Sequence, residues 1–190
     1  MPESGNRANI KHHHKGKSSE SILDKEEILE ALDIRPGQTI LDAGCGDGYM
    51  AKEFARLTGP TGKVYALDPD DDSIDTLAKE TQGTPIEAFV GDITRQTRLE
   101  PSSIDLIYLS TVIHGFSANQ MEGFVAEVER LLSENGRLAI LEVKKEETPY
   151  GPPLEIRFSA EELKQQIPLE PAELVDISQY FYLQIFNNPA

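Results

Sequence analysis

Cysteine occurs once in the 190 residues, at Cys45, so no disulfide forms within the chain. A lone thiol suits a reducing compartment, and the expected location is cytoplasmic. Positive charge is scarce. Lysine and arginine total 18 against 33 aspartates and glutamates, a formal net charge of −15. A field of that sign repels phosphate backbones, which argues against nucleic acid as a partner. Long apolar runs are missing as well. None approaches the ~20 residues that span a bilayer, so no membrane span is expected. The segment Met1 to Lys17 lacks the apolar centre of a secretory signal. What remains is a globular balance of 38% hydrophobic and 27% charged residues. This length favours one domain with one core.

Along the chain, residues 1–17 read as a flexible polar tail, and 18–190 as a single domain. His12, His13 and His14 lie in the tail, but consecutive histidines splay around the backbone and rarely make one metal site. The stretch Lys15 to Ser21 precedes the first helix and is a candidate lid over a ligand. Ser21 and Asp24 fit a helix start, with Ile22, Ile28, Leu29 and Leu32 at helical spacing. Pro36-Gly37 stops that helix. A strand is expected at 38–42, a helix at 47–57 and a strand from Val64 to Leu67. A helix follows at 71–82, then a strand from Ile86 to Val90. Ile104 to Leu109 is nearly all apolar, as a central parallel strand requires. Met121 to Leu132 marks a helix that should end at Asn135-Gly136, before a strand from Leu138 to Val143. Ser159-x-x-Glu162 is a capping box after a Pro- and Gly-rich loop, 146–153. Runs at 172–178 and 180–186 suggest a closing hairpin. Alternating strands and helices imply an α/β doubly wound sheet with right-handed crossovers.

One loop concentrates the chemistry. Asp42-Ala43-Gly44-Cys45-Gly46-Asp47-Gly48 leaves a strand and opens a helix. Glycines there let a ligand approach the backbone, and in such sheets ligands sit at the carboxyl ends of the strands. A dinucleotide site is the obvious rival. Its G-x-G-x-x-G pattern requires glycine where Tyr49 stands. Asp68 ends the second strand, where an acid can accept both hydroxyl protons of a ribose. Asp92, in Gly91-Asp92-Ile93, ends the third and can accept from an exocyclic adenine amine. Alone, Asp92 would be read as a turn residue.

These residues resemble the class I S-adenosylmethionine-dependent methyltransferases, especially the small ubiquinone/menaquinone-type group. The likeness runs over roughly residues 18–186 through Leu41–Gly48, Tyr65–Asp68, Gly91–Ile93, Asp105–Phe116 and Leu131–Glu142. The resemblance implies a Rossmann-like sheet of order 3-2-1-4-5-7-6 with an antiparallel last strand, and S-adenosylmethionine as cofactor. It also implies roles. Gly44, Gly46 and Gly48 would floor the cofactor, and Asp42 would lie near its amino acid moiety. Asp68 would hold the ribose, with Pro69 nearby. Asp92 and Ile93 would frame the adenine, and Ser110 would sit near the methionine part. Cys45 is better read as a small packing residue than as a nucleophile.

Methyl transfer from a sulfonium is an in-line displacement that depends on alignment in a dry pocket. His114 follows the fourth strand and is the candidate general base, with loop packing as the equal alternative. Tyr49, on the first turn of a helix, reads as packing. The loops at 111–120 and 144–158 are short. They suit a small-molecule acceptor, or a site completed by the second subunit of a homodimer. Arg157 is a candidate partner for an acidic acceptor, with solvent exposure the plainer reading. A catalytically silent cofactor-binding adaptor stays open, as does, less favoured, a nicotinamide-dependent oxidoreductase.

Overall fold

The computed structural model describes residues 23–189. The histidine-bearing tail, the Lys15–Ser21 lid segment and the Ser21 cap lie outside them. The chain then runs α1 (Lys25–Leu32), β1 (Thr39–Ala43), α2 (Tyr49–Thr58), β2 (Lys63–Asp68), α3 (Asp71–Glu80), β3 (Ile86–Val90) and β4 (Ile104–Ser110). It continues through α4 (Ala118–Leu131), β5 (Leu132–Val143), α5 (Ala160–Gln166), β6 (Glu170–Ile177) and β7 (Phe181–Asn187). Asp24 caps α1 by accepting from the Glu27 amide at 3.2 Å, and Ser159 caps α5 in a complete capping box with Glu162.

Seven strands form one sheet in the order 3-2-1-4-5-7-6. The first five are parallel, and β7 runs antiparallel to both β5 and β6. Because side chains alternate across a strand, the apolar runs of β1, β4 and β5 feed two cores. Ile40, Leu106 and Tyr108 point to one face, under Leu32 of α1, Phe54 of α2 and Leu77 of α3. Leu41, Ile107 and Leu109 point to the other, under Phe124 and Val128 of α4 and Leu163 of α5. Among the described residues, no helix is long and apolar enough to cross a membrane.

One boundary differs from expectation. The helix does not continue to Asn135-Gly136. It ends at Leu131, and Leu132 is already extended at φ −63°, ψ 131°. Leu132 pairs with Ile104, the register then shifts, and Leu106 pairs with Arg137. The polar residues between form a bulge, with Asn135 at φ 63° and the Ser133 hydroxyl donating to Asp105 at 3.1 Å. Gly136 is required there, because a Cβ would lie 3.0 Å from the Ile104 carbonyl oxygen.

A buried ionic staple closes the opposite side. Glu127 on α4 is 3% exposed. Its Oε1 accepts from the Thr97 amide at 2.9 Å and hydroxyl at 2.7 Å, and from Arg130 Nη2 at 2.7 Å. Arg130 Nη1 in turn donates to the Leu99 carbonyl at 2.8 Å, so the connection between β3 and β4 is tied to the helix. Burial opposes ionisation of Glu127, but Arg130 and Thr97 outweigh it and hold its carboxyl below the usual glutamate range. A depressed carboxyl contributes stability above the unfolded pKa and loses it as pH falls through the folded value. Glu127→Ala is expected to cost about 2–4 kcal/mol in chemical denaturation at pH 7, less than a fully dry pair because Arg130 keeps some water. The gap between wild type and variant should narrow below pH ~4. An equal gap at both pH values would show that packing, not charge, supplies the staple.

Candidate functional site

The loop after β1 is built by the end of β2. The amides of Gly44 and Cys45 both donate to the Leu67 carbonyl, at 2.7 and 3.0 Å. The Gly46 amide donates to Asp68 Oδ2 at 2.9 Å. Following these bonds forces the chain into the left-handed region at Gly44, Gly46 and Gly48, with φ of 76°, 54° and 76°. That conformation disfavours residues with a Cβ. The two turns differ in their surroundings. A Cβ on Gly44 would strike Val112 Cγ2 at 2.8 Å, so the 111–117 loop packs down on that glycine. A Cβ on Gly46 would meet nothing within 4 Å, so the backbone there borders open space. The Asp68 carboxylate stands beside that opening.

Asp42, at the end of β1, is 3% exposed, and its Oδ2 has no hydrogen-bond partner among the described residues. Burial pushes its carboxyl up to about 7; the Ala51 amide opposes this, and the charges of Asp68 and Asp47 add to it. A buried acid with one unpaired oxygen at a glycine loop suits a cationic donor such as an α-ammonium group. Tyr108 lies beside Asp42 in register on β4, and its phenol is pushed up by burial against a bond from Ser110. Burial, then Asp42 and Asp68, also push the Cys45 thiol far above its ordinary value, so it is protonated and packs.

The other expected residues line the same carboxyl edge of the sheet. Asp68 Oδ1 accepts from the Asp70 amide at 2.9 Å, so each carboxylate oxygen already holds one backbone amide. Each keeps a further lone pair for a ligand hydroxyl. Pro69 is exposed next to it. Asp92 Oδ1 accepts from the Thr94 amide at 2.9 Å and hydroxyl at 2.7 Å, while Oδ2 lies 3.5 Å from Arg95. Its side chain therefore shapes the turn as well as facing outward. Ile93 is buried at 4% exposure in the core beneath that turn. Ser110 ends β4, half-buried. These residues fit S-adenosylmethionine: an unpaired acid for its ammonium, an acid with spare lone pairs for its ribose, and a backbone cradle between.

Beyond Ser110, Thr111 adopts φ 53°, an outlier for a β-branched residue, with its amide donating to the Leu141 carbonyl at 2.8 Å. This turn sets the short helix Ile113–Gly115, which carries His114. Sequence reasoning assigned no role to its partner. His114 Nδ1 lies 3.0 and 3.1 Å from the two oxygens of Glu142, which is fully buried near the end of β5. A lone acid within the apolar run Leu138–Val143 was the available signal. Arg157 corrects both readings made of it. It is neither exposed nor open to an acceptor, but 6% exposed and bonded to four backbone carbonyls, those of Pro152, Lys144, Glu146 and Tyr150. It is the clamp of the 144–158 loop. Tyr49 is half-buried, with Lys25 Nζ 5.5 Å from its ring centre.

Comparison with known proteins accords with this geometry. Residues 40–136 match a family described as a methyltransferase domain. The ubiquinone/menaquinone biosynthesis C-methyltransferase UbiE of Cupriavidus metallidurans is 29% identical over 128 residues, 65% of this chain and 50% of that protein. An uncharacterized 37.1 kDa protein in a Streptomyces fradiae transposon is 33% identical over 117 residues, 61% of this chain and 33% of that protein. The chain thus spans a third to a half of these curated relatives. A crystal structure of a SAM-dependent methyltransferase from Aquifex aeolicus superposes with a TM-score of 0.80 at 24% identity, covering 90% of this chain and 93% of that one.

Asp42 generates a test in the ligand-free protein. Its carboxyl is raised in the folded state to about 7, so between ~4 and ~7 the folded chain holds a proton that the unfolded chain releases. Stability from this group is therefore present at low pH and lost as pH rises through that window. Asp42→Asn should remove this part of the slope, so that thermal unfolding of the variant declines less than wild type between pH 5 and 8. Parallel Tm profiles would show that Asp42 ionises freely.

Proposed function

The chain belongs to the class I S-adenosylmethionine-dependent methyltransferases, and we propose that it carries a methyl group from that cofactor to a small-molecule acceptor. The observation that carries this reading is the open space over left-handed Gly46 beside the Asp68 carboxylate, with the buried, unpaired oxygen of Asp42 at the end of the strand that leads into the same loop. The cofactor supplies an electrophilic methyl group on a cationic sulfur. In this reading Asp42 takes the ammonium, Gly44, Gly46 and Gly48 floor the ligand, and Asp68 with Pro69 takes the ribose. Asp92 and Ile93 frame the adenine, Ser110 lies near the methionine part, and His114 stands on the loop nearest the methyl group.

The reading of a small acceptor is supported by how little of the chain among the described residues is free to enclose one. The loop at 144–158 is fastened by Arg157, and Val112 fills the space over Gly44. The C-methyltransferase activity in the name of UbiE belongs to a protein twice the matched length, so its acceptor is not carried over.

Methyl-labelled S-adenosylmethionine incubated with a panel of small hydroxyl, amine and carbon-acid compounds should yield a labelled product detectable by mass spectrometry. His114→Ala should slow that transfer by roughly 10²–10⁴-fold while cofactor affinity holds. Tight cofactor binding with no transfer across the panel would instead favour a silent adaptor.

A further inference from the structure

We propose that Glu142 is a positioning residue that fixes the proton of His114 on Nδ1 and so leaves Nε2 as the proton-accepting nitrogen of the site. The inference rests on the methyltransferase reading for its purpose, but its geometry stands alone. Glu142 is 0% exposed on a strand whose other residues from Leu138 to Val143 are apolar. Taking a carboxylate out of water costs several kcal/mol unless it is paired. Its hydrogen-bond partners among the described residues are the Val143 amide at 3.3 Å, a long bond, and the His114 imidazole. The imidazole therefore carries most of the compensation.

Three proton arrangements satisfy this pair. Nδ1–H donates to an ionised carboxylate from a neutral ring, or from an imidazolium that has no lone pair on Nε2, or a carboxylic acid donates to a bare Nδ1. Nδ1 lies 3.0 Å from one oxygen and 3.1 Å from the other, as one N–H shared between two acceptors would. A carboxylic O–H would bring a single oxygen forward. Of the two arrangements with Nδ1–H, the neutral ring is the one that serves as a base. With Nδ1 committed in a neutral ring, the lone pair is on Nε2, which has no hydrogen-bond partner among the described residues. His114 is also held from behind. Thr111 at φ 53° and the short helix Ile113–Gly115 fix where its backbone leaves β4, one strand from Glu142.

The arrangement serves an acceptor whose reacting atom carries a proton, such as a hydroxyl, an ammonium or an acidic C–H. That proton passes to Nε2, and the imidazole becomes an imidazolium whose charge faces the Glu142 carboxylate. The electron pair left on the acceptor forms the bond to the methyl carbon, whose bond to sulfur breaks with its pair remaining on sulfur. Orientation of a base by a buried acid is the general logic of such pairs.

Nitrogen NMR on the full chain with labelled histidine tests this without an acceptor, with His114→Asn identifying the resonance. The wild type should show His114 as the neutral Nδ1–H tautomer. Glu142→Leu, which removes the carboxylate and leaves an apolar side chain in an apolar layer, should shift it to the Nε2–H form common in water. S-adenosylmethionine affinity should change less than about threefold in the variant, since Glu142 does not border the cradle. An Nε2–H tautomer or a doubly protonated ring in the wild type at pH 7.5 overturns the inference, as does an Nδ1–H form that survives in Glu142→Leu. The wild-type spectrum decides even where the variant fails to fold. Failure of the wild type to bind the cofactor would instead count against the function proposed for the site.

Discussion

The left-handed backbone between β1 and α2 is the constraint on which the site depends. Its shape is not a property of the glycines alone. The Leu67 carbonyl takes two amides from the loop, and the Asp68 carboxylate takes a third, so the end of β2 dictates the path of the chain after β1. Parallel pairing of the two strands, Ala43 opposite Leu67, sets the height at which this happens. The seven-strand order then places the ends of β3 and β4 on either side, bringing Asp92 and Ser110 to the same edge. Sheet register, loop strain and ligand geometry are one problem.

That edge is acidic and partly dry. Asp42 is buried with an unpaired oxygen, Asp68 stands nearby, and Glu142 is fully enclosed two strands away. Burying acids without cations destabilises a fold. Other acids are partnered: Glu142 meets the His114 imidazole at 3.0 Å, Glu127 has Arg130, and the half-buried Glu53 has Lys25 at 2.9 Å. Asp42 keeps an unpartnered oxygen, a cost that a cationic ligand would offset in the function proposed for the site.

Much of this was readable beforehand, and the exceptions share a cause. Alternating apolar strands and helices specified the sheet and its order through the family likeness, and the closing hairpin fell at 170–187 as expected. The glycine loop, Asp68 and Asp92 announced themselves by position. The α4–β5 junction did not, because Leu132 is apolar in either state and only its pairing with Ile104 decides. Arg157 was misread because its partners are carbonyls scattered from Lys144 to Pro152, which no side-chain pattern reveals. Asp68 pins Gly46, which a reading for ribose alone omits. Glu142 was visible as an acid in an apolar strand, but its contact with His114 joins residues 28 apart across α4, a pairing no local pattern carries.

The central claim is that the Gly44–Gly48 loop and Asp68 together form a site for S-adenosylmethionine. Titration calorimetry on the full chain measures it most directly. Wild type should bind S-adenosylmethionine and S-adenosylhomocysteine and show little affinity for NAD, whose diphosphate requires different glycine spacing. Asp68→Ala should weaken both adenosyl ligands alike, by roughly tenfold to a thousandfold, since charge-assisted bonds contribute about 1.5–3 kcal/mol each. Tight NAD binding, or adenosyl affinity indifferent to Asp68, would contradict it.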